Sequence, residues 1–202
     1  LRVRKHKPRH FTVDGTPTDC VLVAAQNVLK DRKPDVVLSG INMGSNLGED
    51  VTYSGTVAAA MEAALLGMKA IAFSQVRDGE GKLDFEAAEA HGPKLLERLL
   101  AAKWHREVLM NVNFPALPPK EVRGIRVCRQ GRRESGTTVA EGRDPSGRAY
   151  LWIGQFLSDD TPEADTDLKA VIEGMISVTP LHLDLTHATT LRELAELIPE
   201  RR

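Results

Sequence analysis

The sequence predicts an α/β fold in which a mostly parallel sheet is flanked by helices, with a β-hairpin arm near the C-terminus. Amphipathic helical patterns alternate with short β-branched runs through the first two thirds of the chain, which is typical of parallel sheets covered by helices. Hydrophobic residues make up 42% and charged residues 27% of the 202 residues, as in globular proteins with a real core. Beyond residue 123 the pattern changes to strands around a polar stretch at 131–149.

The N-terminal part leads into a well-marked helix start. Residues 1–13 predict an extended segment. Thr16 as N-cap, Pro17 at the first helical position and Asp19 at the third together form a strong helix N-terminus. We therefore predict a helix over about 18–30.

A long polar segment interrupts the next strand–helix unit. The β-branched run at 35–38 predicts a buried parallel strand, and 39–54 predicts a glycine-bearing loop. Loops of this length inside a compact α/β unit are usually functional. An alanine-rich helix over 57–66 and a buried strand over 69–74 are expected to follow.

The later elements complete the sheet and add the arm. An amphipathic helix over 84–102 and a strand over 108–113 continue the alternation, and strands at 124–130 and 150–154 are interpreted as the two sides of an exposed β-hairpin. The last three predicted elements are a helix, a strand and a helix, over 166–173, 175–179 and 189–197.

These patterns divide the chain into two parts. Residues 1–123 are predicted to form the α/β core, and 124–202 a β-hairpin arm with a C-terminal segment that returns to the core. Because exposed arms of this kind often pair with another subunit, we expect a homodimer or homotetramer that assembles through the arm.

Composition argues against several function classes. A net charge of −1 argues against a stable nucleic-acid complex, and no apolar run approaches the roughly 18–20 residues that cross a membrane. A nicotinamide-dependent oxidoreductase would need a G-x-G-x-x-G fingerprint, which the sequence lacks. Cys20 and Cys128 lie far apart in apolar runs, so buried free thiols and a cytoplasmic location are expected.

The segment 39–56 is the best candidate for a functional site, because open α/β sheets bind ligands beyond the carboxyl ends of their strands. Ser54-Gly55-Thr56 opens a helix, and the first N–H groups of a helix favour an anion such as phosphate. Asn42 can offer its carbonyl oxygen to a hard cation. In the competing interpretation, Ser54 merely caps the helix and Asn42 merely forms a turn. The polar side chains of the segment are Ser39, Asn42, Asn46, Ser54 and Thr56.

Other polar residues have a structural interpretation. Asp19 is expected to cap its helix, Glu49 and Asp50 to be exposed loop acids, and Asp167 to lie near a helix start. A structural role is also favoured for the group His182, Asp184 and His187.

Several ordered stretches carry a resemblance to a known family. They cover 15–21, 34–48, 53–62, 111–115, 166–167 and 177–181. These stretches resemble the SurE survival-protein family of divalent-metal-dependent 5′- and 3′-nucleotidases. The resemblance runs from residue 15 to about residue 186.

The resemblance implies a Rossmann-like fold, a β-arm used in oligomer formation, a Mg²⁺ or Mn²⁺ site, and activity on nucleoside monophosphates. Some members also accept short polyphosphate. By position, Asn42 matches the asparagine metal ligand. The positions that match the surroundings of the substrate phosphate are Asn46, Ser54, Gly55 and Thr56.

One departure concerns residues expected ahead of Leu1. Family members begin with an Asn-Asp-Asp-Gly segment at the end of a central first strand; its aspartates are the main metal ligands, and the first acts as nucleophile or base. The sequence contains neither this segment nor a further serine ligand, so no catalytic residue is assigned. We expect the chain to be the C-terminal part of a longer enzyme, without its first strand–helix unit and inactive alone. The alternative is a module that only binds phosphate or assists assembly.

Overall fold

The computed structural model describes residues 1–133, 137–156 and 162–198. Its strands are β1 (Val3–Lys7), β2 (His10–Val13), β3 (Val36–Met43), β4 (Lys69–Gln75), β5 (Val108–Phe114), β6 (Ile125–Val127), β7 (Thr137–Arg143), β8 (Ala149–Phe156) and β9 (Ile176–His182). Its α-helices are α1 (Pro17–Val23), α2 (Gly55–Leu65), α3 (Glu86–Ala101), α4 (Asp167–Ile172) and α5 (Ala188–Leu197). Shorter helical turns cover Ala24–Val28, Gly48–Thr52 and Pro119–Glu121.

The central sheet has the strand order β3-β4-β5-β9-β6. Strands β3, β4 and β5 are parallel, β9 runs antiparallel to β5, and β6 runs parallel to β9. The predicted α/β fold with a mostly parallel sheet flanked by helices is confirmed.

The hydrophobic core lies on both faces of this sheet, because successive side chains of a strand point to opposite faces. On β4, Ala70 and Ala72 pack in the cluster that includes α2, whereas Ile71 and Phe73 pack in the cluster that includes α3. Strand β4 is thus covered by helices on both faces, as a central parallel strand should be.

The helix starts follow the predicted capping signals. Thr16 accepts a hydrogen bond from the Asp19 N–H at 3.2 Å, and the Asp19 carboxylate accepts one from the Thr16 N–H at 2.8 Å. The Thr16 hydroxyl also donates to the Asp19 carboxylate at 2.7 Å, and this bond together with the one from the Thr16 N–H lowers the pKa of Asp19. None of the helices in the described ranges is long and apolar enough to cross a membrane.

Two N-terminal predictions need correction. Residues 1–13 form a hairpin of β1 and β2 rather than one extended segment. The strand predicted over 35–38 runs on to Met43, beside β4. A Cβ on Gly40 would lie 2.4 Å from the Phe73 carbonyl oxygen, so glycine permits this close approach. Ser39, Gly40 and Asn42 are typical loop residues, and the strand was therefore predicted too short.

The predicted pairing of the arm was wrong. Strand β6 does not pair with β8 but enters the central sheet beside β9, and β8 pairs antiparallel with β7. The arm therefore begins beyond Arg133 rather than at residue 124. Strands β6 and β9 both lie in the central sheet. The division of the chain at residue 123 remains a prediction.

Candidate functional site

The segment after β3 places the predicted metal ligand beside the start of α2. The Asn42 Nδ2 group donates to the Gly44 carbonyl oxygen at 3.1 Å, which turns the amide oxygen Oδ1 toward α2. The Thr56 hydroxyl donates to that oxygen at 3.3 Å. Asn42 and Thr56 are thus brought together at the carboxyl edge of β3.

The N-terminus of α2 presents unpaired N–H groups at the same place. Ser54 caps the helix, since its hydroxyl oxygen accepts from the Val57 N–H at 3.1 Å; its predicted contact with the substrate phosphate stays a prediction. Within the described part of the chain, the N–H groups of Gly55 and Thr56 have no acceptor. Together with the helix dipole, these donors favour an anion.

Asn46 is an anchor of the loop. It is 5% exposed, and its Nδ2 group donates to the Ser74 hydroxyl at 2.7 Å. Its backbone N–H donates to Asn113 Oδ1 at 2.8 Å, and its carbonyl oxygen accepts from the Nδ2 groups of Asn111 and Asn113 at 2.7 and 3.1 Å. Phosphate contact by Asn46 stays a prediction, and the structure gives the residue this second role beneath the loop.

Sequence reasoning missed the polar side chains that hold Asn46. Asn111 and Asn113 alternate with buried apolar residues along β5, and Ser177 and Thr179 face them on β9. Polar residues spaced two apart in a buried strand share one face, and this spacing was the available signal. The Asn111 Oδ1 and Ser177 hydroxyl oxygens are buried with no hydrogen-bond partner among the described residues.

Asp167 fastens the loop from the other side. This fully buried carboxylate accepts from the N–H groups of Gly48, Gly131 and Leu168 at 3.0, 2.8 and 2.8 Å. Burial raises the pKa of Asp167, while the three N–H donors oppose that shift. The expected position at a helix start was right, because Asp167 is the first residue of α4; its long-range contacts were not foreseen.

The expectation that Glu49 and Asp50 are exposed loop acids was wrong. Arg133 donates from its guanidinium to Asp50 at 2.8 Å, with the two side chains only 10% and 15% exposed. Its backbone N–H donates to the Glu49 carboxylate at 2.9 Å. The root of the arm is thereby fixed to the loop, and the Arg133 Nε group is buried without a partner in the described ranges.

The described residues do not by themselves fit a divalent cation. Asn42 and Thr56 offer neutral oxygens, and hard cations prefer carboxylates. Of the two acids of the loop, Asp50 is paired with the Arg133 guanidinium and Glu49 accepts from the Arg133 N–H. Across the described ranges, no group of three or more His, Cys, Asp or Glu side chains is placed to hold a metal ion.

The remaining candidates have local structural roles. The Asp184 N–H donates to His182 Nδ1 at 3.1 Å, and His187 caps α5. Hydrogen bonds from Thr186 lower the pKa of Asp184. Cys20 and Cys128 are free thiols; Cys128 is buried as expected, whereas Cys20 is partly exposed.

Fold and site together define a Rossmann-like α/β protein whose polar loop meets a helix N-terminus at the carboxyl edge of the sheet. The family model described as "Survival protein SurE" matches residues 1–137. The chain belongs to the SurE family.

Relatives and a solved structure agree with this assignment. A protein named "5′-nucleotidase SurE" from Paramagnetospirillum magneticum is 52% identical over 194 residues, covering 96% of this chain and 75% of that protein. One of the same name from Rhodospirillum rubrum is 52% identical over 197 residues, with coverage of 96% and 75%. The crystal structure of the SurE protein from Aquifex aeolicus matches with a TM-score of 0.83 at 41% identity, covering 98% of this chain and 79% of that one.

Proposed function

We propose that the protein hydrolyses the phosphomonoester bond of nucleoside 5′-monophosphates, with 3′-monophosphates as further substrates. The name "5′-nucleotidase" of its relatives supports the reaction class. The proposal rests on one observation: at the N-terminus of α2, the N–H groups of Gly55 and Thr56 are unpaired and lie beside Asn42.

In this proposal the first turn of α2 holds the phosphate. Two phosphate oxygens accept from the N–H groups of Gly55 and Thr56, and the Thr56 hydroxyl donates to a phosphate oxygen when it leaves Asn42. Phosphoryl transfer keeps negative charge on the equatorial oxygens, so donors that are already aimed at them stabilise the transition state. Asn46 keeps the loop fixed while this charge redistributes.

A divalent cation, Mg²⁺ or Mn²⁺, is part of the proposal, with Asn42 as one ligand. The other ligands must be carboxylates from outside the described donor set, since Asn42 alone cannot hold a hard cation. Activity is expected to disappear with a chelator and return when either cation is added. Asn42→Ala should raise the cation concentration that gives half-maximal activity.

The phosphate site is tested by removing one N–H group. Gly55 is the first residue of α2 and has no positive φ, and Ser54 before it lies in the extended region, with φ −82° and ψ 119°. Proline suits the first position of a helix and lacks the N–H, although its Cβ meets the same Pro17 neighbour as any other side chain here. We expect Gly55→Pro in the full-length enzyme to lower kcat/KM for a nucleoside 5′-monophosphate about 100-fold.

Gly55→Ala is the matched control. Any Cβ at this position lies 3.1 Å from Pro17 Cγ, so alanine reproduces the crowding by the Cβ atom but keeps the N–H. The proposal requires the proline variant to lose much more activity than the alanine variant at similar thermal stability. Equal losses of activity in both variants would show that the substitutions act through packing against Pro17 and not through phosphate binding.

A second candidate function is favoured by the incomplete donor set around Asn42. In that case the chain binds phosphate or assists assembly without turning substrate over. Calorimetric titration with nucleoside monophosphates distinguishes the two functions, because binding without phosphate release would favour the module.

Assembly through the β7–β8 arm is proposed together with this function. Apolar side chains of the arm are exposed on both of its faces, among them Leu151, Trp152 and Ile153. Such a ribbon is stabilised when a second copy covers it. A homodimer or homotetramer and a cytoplasmic location remain part of the proposal.

A further inference from the structure

A cleft opens next to Asn42 at the carboxyl edge of the sheet. Its two walls are residues 43–45, which end β3 and follow it, and residues 76–81, which follow β4. Asp50 and Arg133 complete its lining, and its volume is about 790 Å³. This volume lies in the range of small-molecule sites.

Arg77 joins the two walls of the cleft. Its guanidinium donates to the Met43 carbonyl oxygen at 3.2 Å and to the Gly81 carbonyl oxygen at 3.1 Å. The second wall is itself stiffened, because the Asp78 carboxylate accepts from the N–H groups of Glu80 and Lys82 at 3.0 and 2.8 Å. The width of the cleft therefore depends on Arg77.

The chemistry of the lining favours an uncharged polar ligand. The carboxylates of Asp50, Asp78 and Glu80 outnumber the guanidinium groups of Arg77 and Arg133, so a second phosphate would meet no excess of positive charge. Met43, 64% exposed, adds an apolar surface next to these polar groups. A flat base attached to a hydroxylated sugar matches this combination.

We propose that the cleft receives the nucleoside part of the substrate and that Arg77 determines specificity by fixing the cleft's width. This inference rests on the proposed function. The phosphate site and the cleft are contiguous, since Thr56 bonds to Asn42 and Asn42 bonds to Gly44 in the cleft wall. A nucleotide with its phosphate on α2 therefore extends its nucleoside past Asn42 into the cleft.

The test compares two substrates in the full-length enzyme with its cation present. One is a nucleoside 5′-monophosphate and the other is glycerol phosphate, which has no base. Arg77→Ala is expected to lower kcat/KM for the nucleotide about tenfold, mainly through KM, and to leave glycerol phosphate hydrolysis within about twofold. Arg77→Lys keeps the charge but cannot bond to both carbonyl oxygens at once, so it should lower kcat/KM for the nucleotide by a smaller factor. This variant replaces Arg77→Ala in the test if the alanine variant does not fold.

Two further variants complete the design. Arg106→Ala removes a guanidinium that is 88% exposed at the opposite edge of the sheet and should change neither substrate. Tyr53→Ala tests the other side of the α2 N-terminus. Equal losses on both substrates for Arg77→Ala, no loss on either, or a nucleotide-specific loss for Tyr53→Ala alone would overturn the proposal. If the wild-type enzyme hydrolyses neither substrate, the proposed function itself is contradicted.

Discussion

The polar loop over 44–52 and the β7–β8 hairpin both lie outside the central sheet, yet their side chains meet opposite surroundings. In the loop, Asn46 is almost fully buried. On the hairpin, Trp152 and Ile153 are 67% and 71% exposed. Buried polar groups and clustered exposed apolar groups are the informative exceptions to the usual pattern of burial.

The difference separates the two roles. The polar groups of the loop are held by side chains of β4, β5 and α4, so the loop is a fixed support for the α2 N-terminus. The apolar side chains of the arm are exposed to water, which is unfavourable, and they would be stabilised by burial against another surface. We therefore propose that the loop supports the chemistry and that the arm contacts another copy.

The largest effect is expected where the loop is anchored. Asn113→Ala removes the acceptor of the Asn46 N–H and one donor to the Asn46 carbonyl oxygen, and it leaves a cavity in a fully buried site. Unpaired buried polar groups and a cavity together should lower the free energy of unfolding by about 3 kcal/mol or more. Urea unfolding measures this change. Asn27→Ala, at an exposed position, is the control; similar values for both variants would break the comparison.

The sequence predicted local features of the loop region and not its long-range contacts. Thr16 was predicted to be a cap, and the competing interpretation gave Ser54 the same role, because their partners lie three residues away. Asn46 is held by Ser74 and Asn113, which lie 28 and 67 residues away. Asp50 was expected to be exposed because its partner Arg133 lies 83 residues further on. Only the folded sheet brings such pairs together.

The same limit explains the outcome for the strands. The β-branched and apolar runs of β4 and β5 identified these strands from composition alone. The residues of a strand do not indicate which other strand lies beside it. For this reason β6 was predicted to pair with β8, whereas its partner is β9. The position of the candidate site followed from topology, since the loop after β3 lies at a carboxyl strand edge.

A second, smaller effect concerns Asp167, the other anchor of the loop. Asp167→Asn replaces one acceptor oxygen by a donor that faces a backbone N–H, which should cost about 2 kcal/mol near pH 4. Burial raises the pKa of Asp167, so the folded state binds its proton more tightly than the unfolded chain. The contribution of Asp167 to stability is then fully present below the unfolded pKa and falls as the pH rises through the folded pKa. The difference between wild type and variant should therefore shrink toward pH 7.

Asp165→Asn provides the opposite slope as a control. The hydrogen bond from Arg129 lowers the pKa of the exposed Asp165, so its contribution is present above the unfolded pKa and is lost as the pH falls. Thermal unfolding of both variants and the wild type between about pH 4 and pH 7 measures these slopes. A loss for Asp167→Asn that grows with pH would show that its N–H donors, rather than burial, dominate at this site.

The smallest effect on the subunit itself is expected on the arm. Trp152→Ser removes an exposed aromatic side chain whose backbone pairs with Ala140 on β7. The free energy of unfolding of the dissociated subunit should change by less than about 0.5 kcal/mol. Association should weaken about tenfold, because exposed tryptophan side chains that become buried dominate many interfaces.

For Trp152→Ser, sedimentation over a range of protein concentrations measures association, and urea unfolding measures the free energy of unfolding. Glu141→Gln, also on the arm, exchanges one exposed polar side chain for another and should leave association within about twofold. A Trp152→Ser protein that associates like the wild type but unfolds at lower denaturant would mean that the indole packs within its own subunit. The arm would then be a second buried region, and the contrast with the loop would be lost.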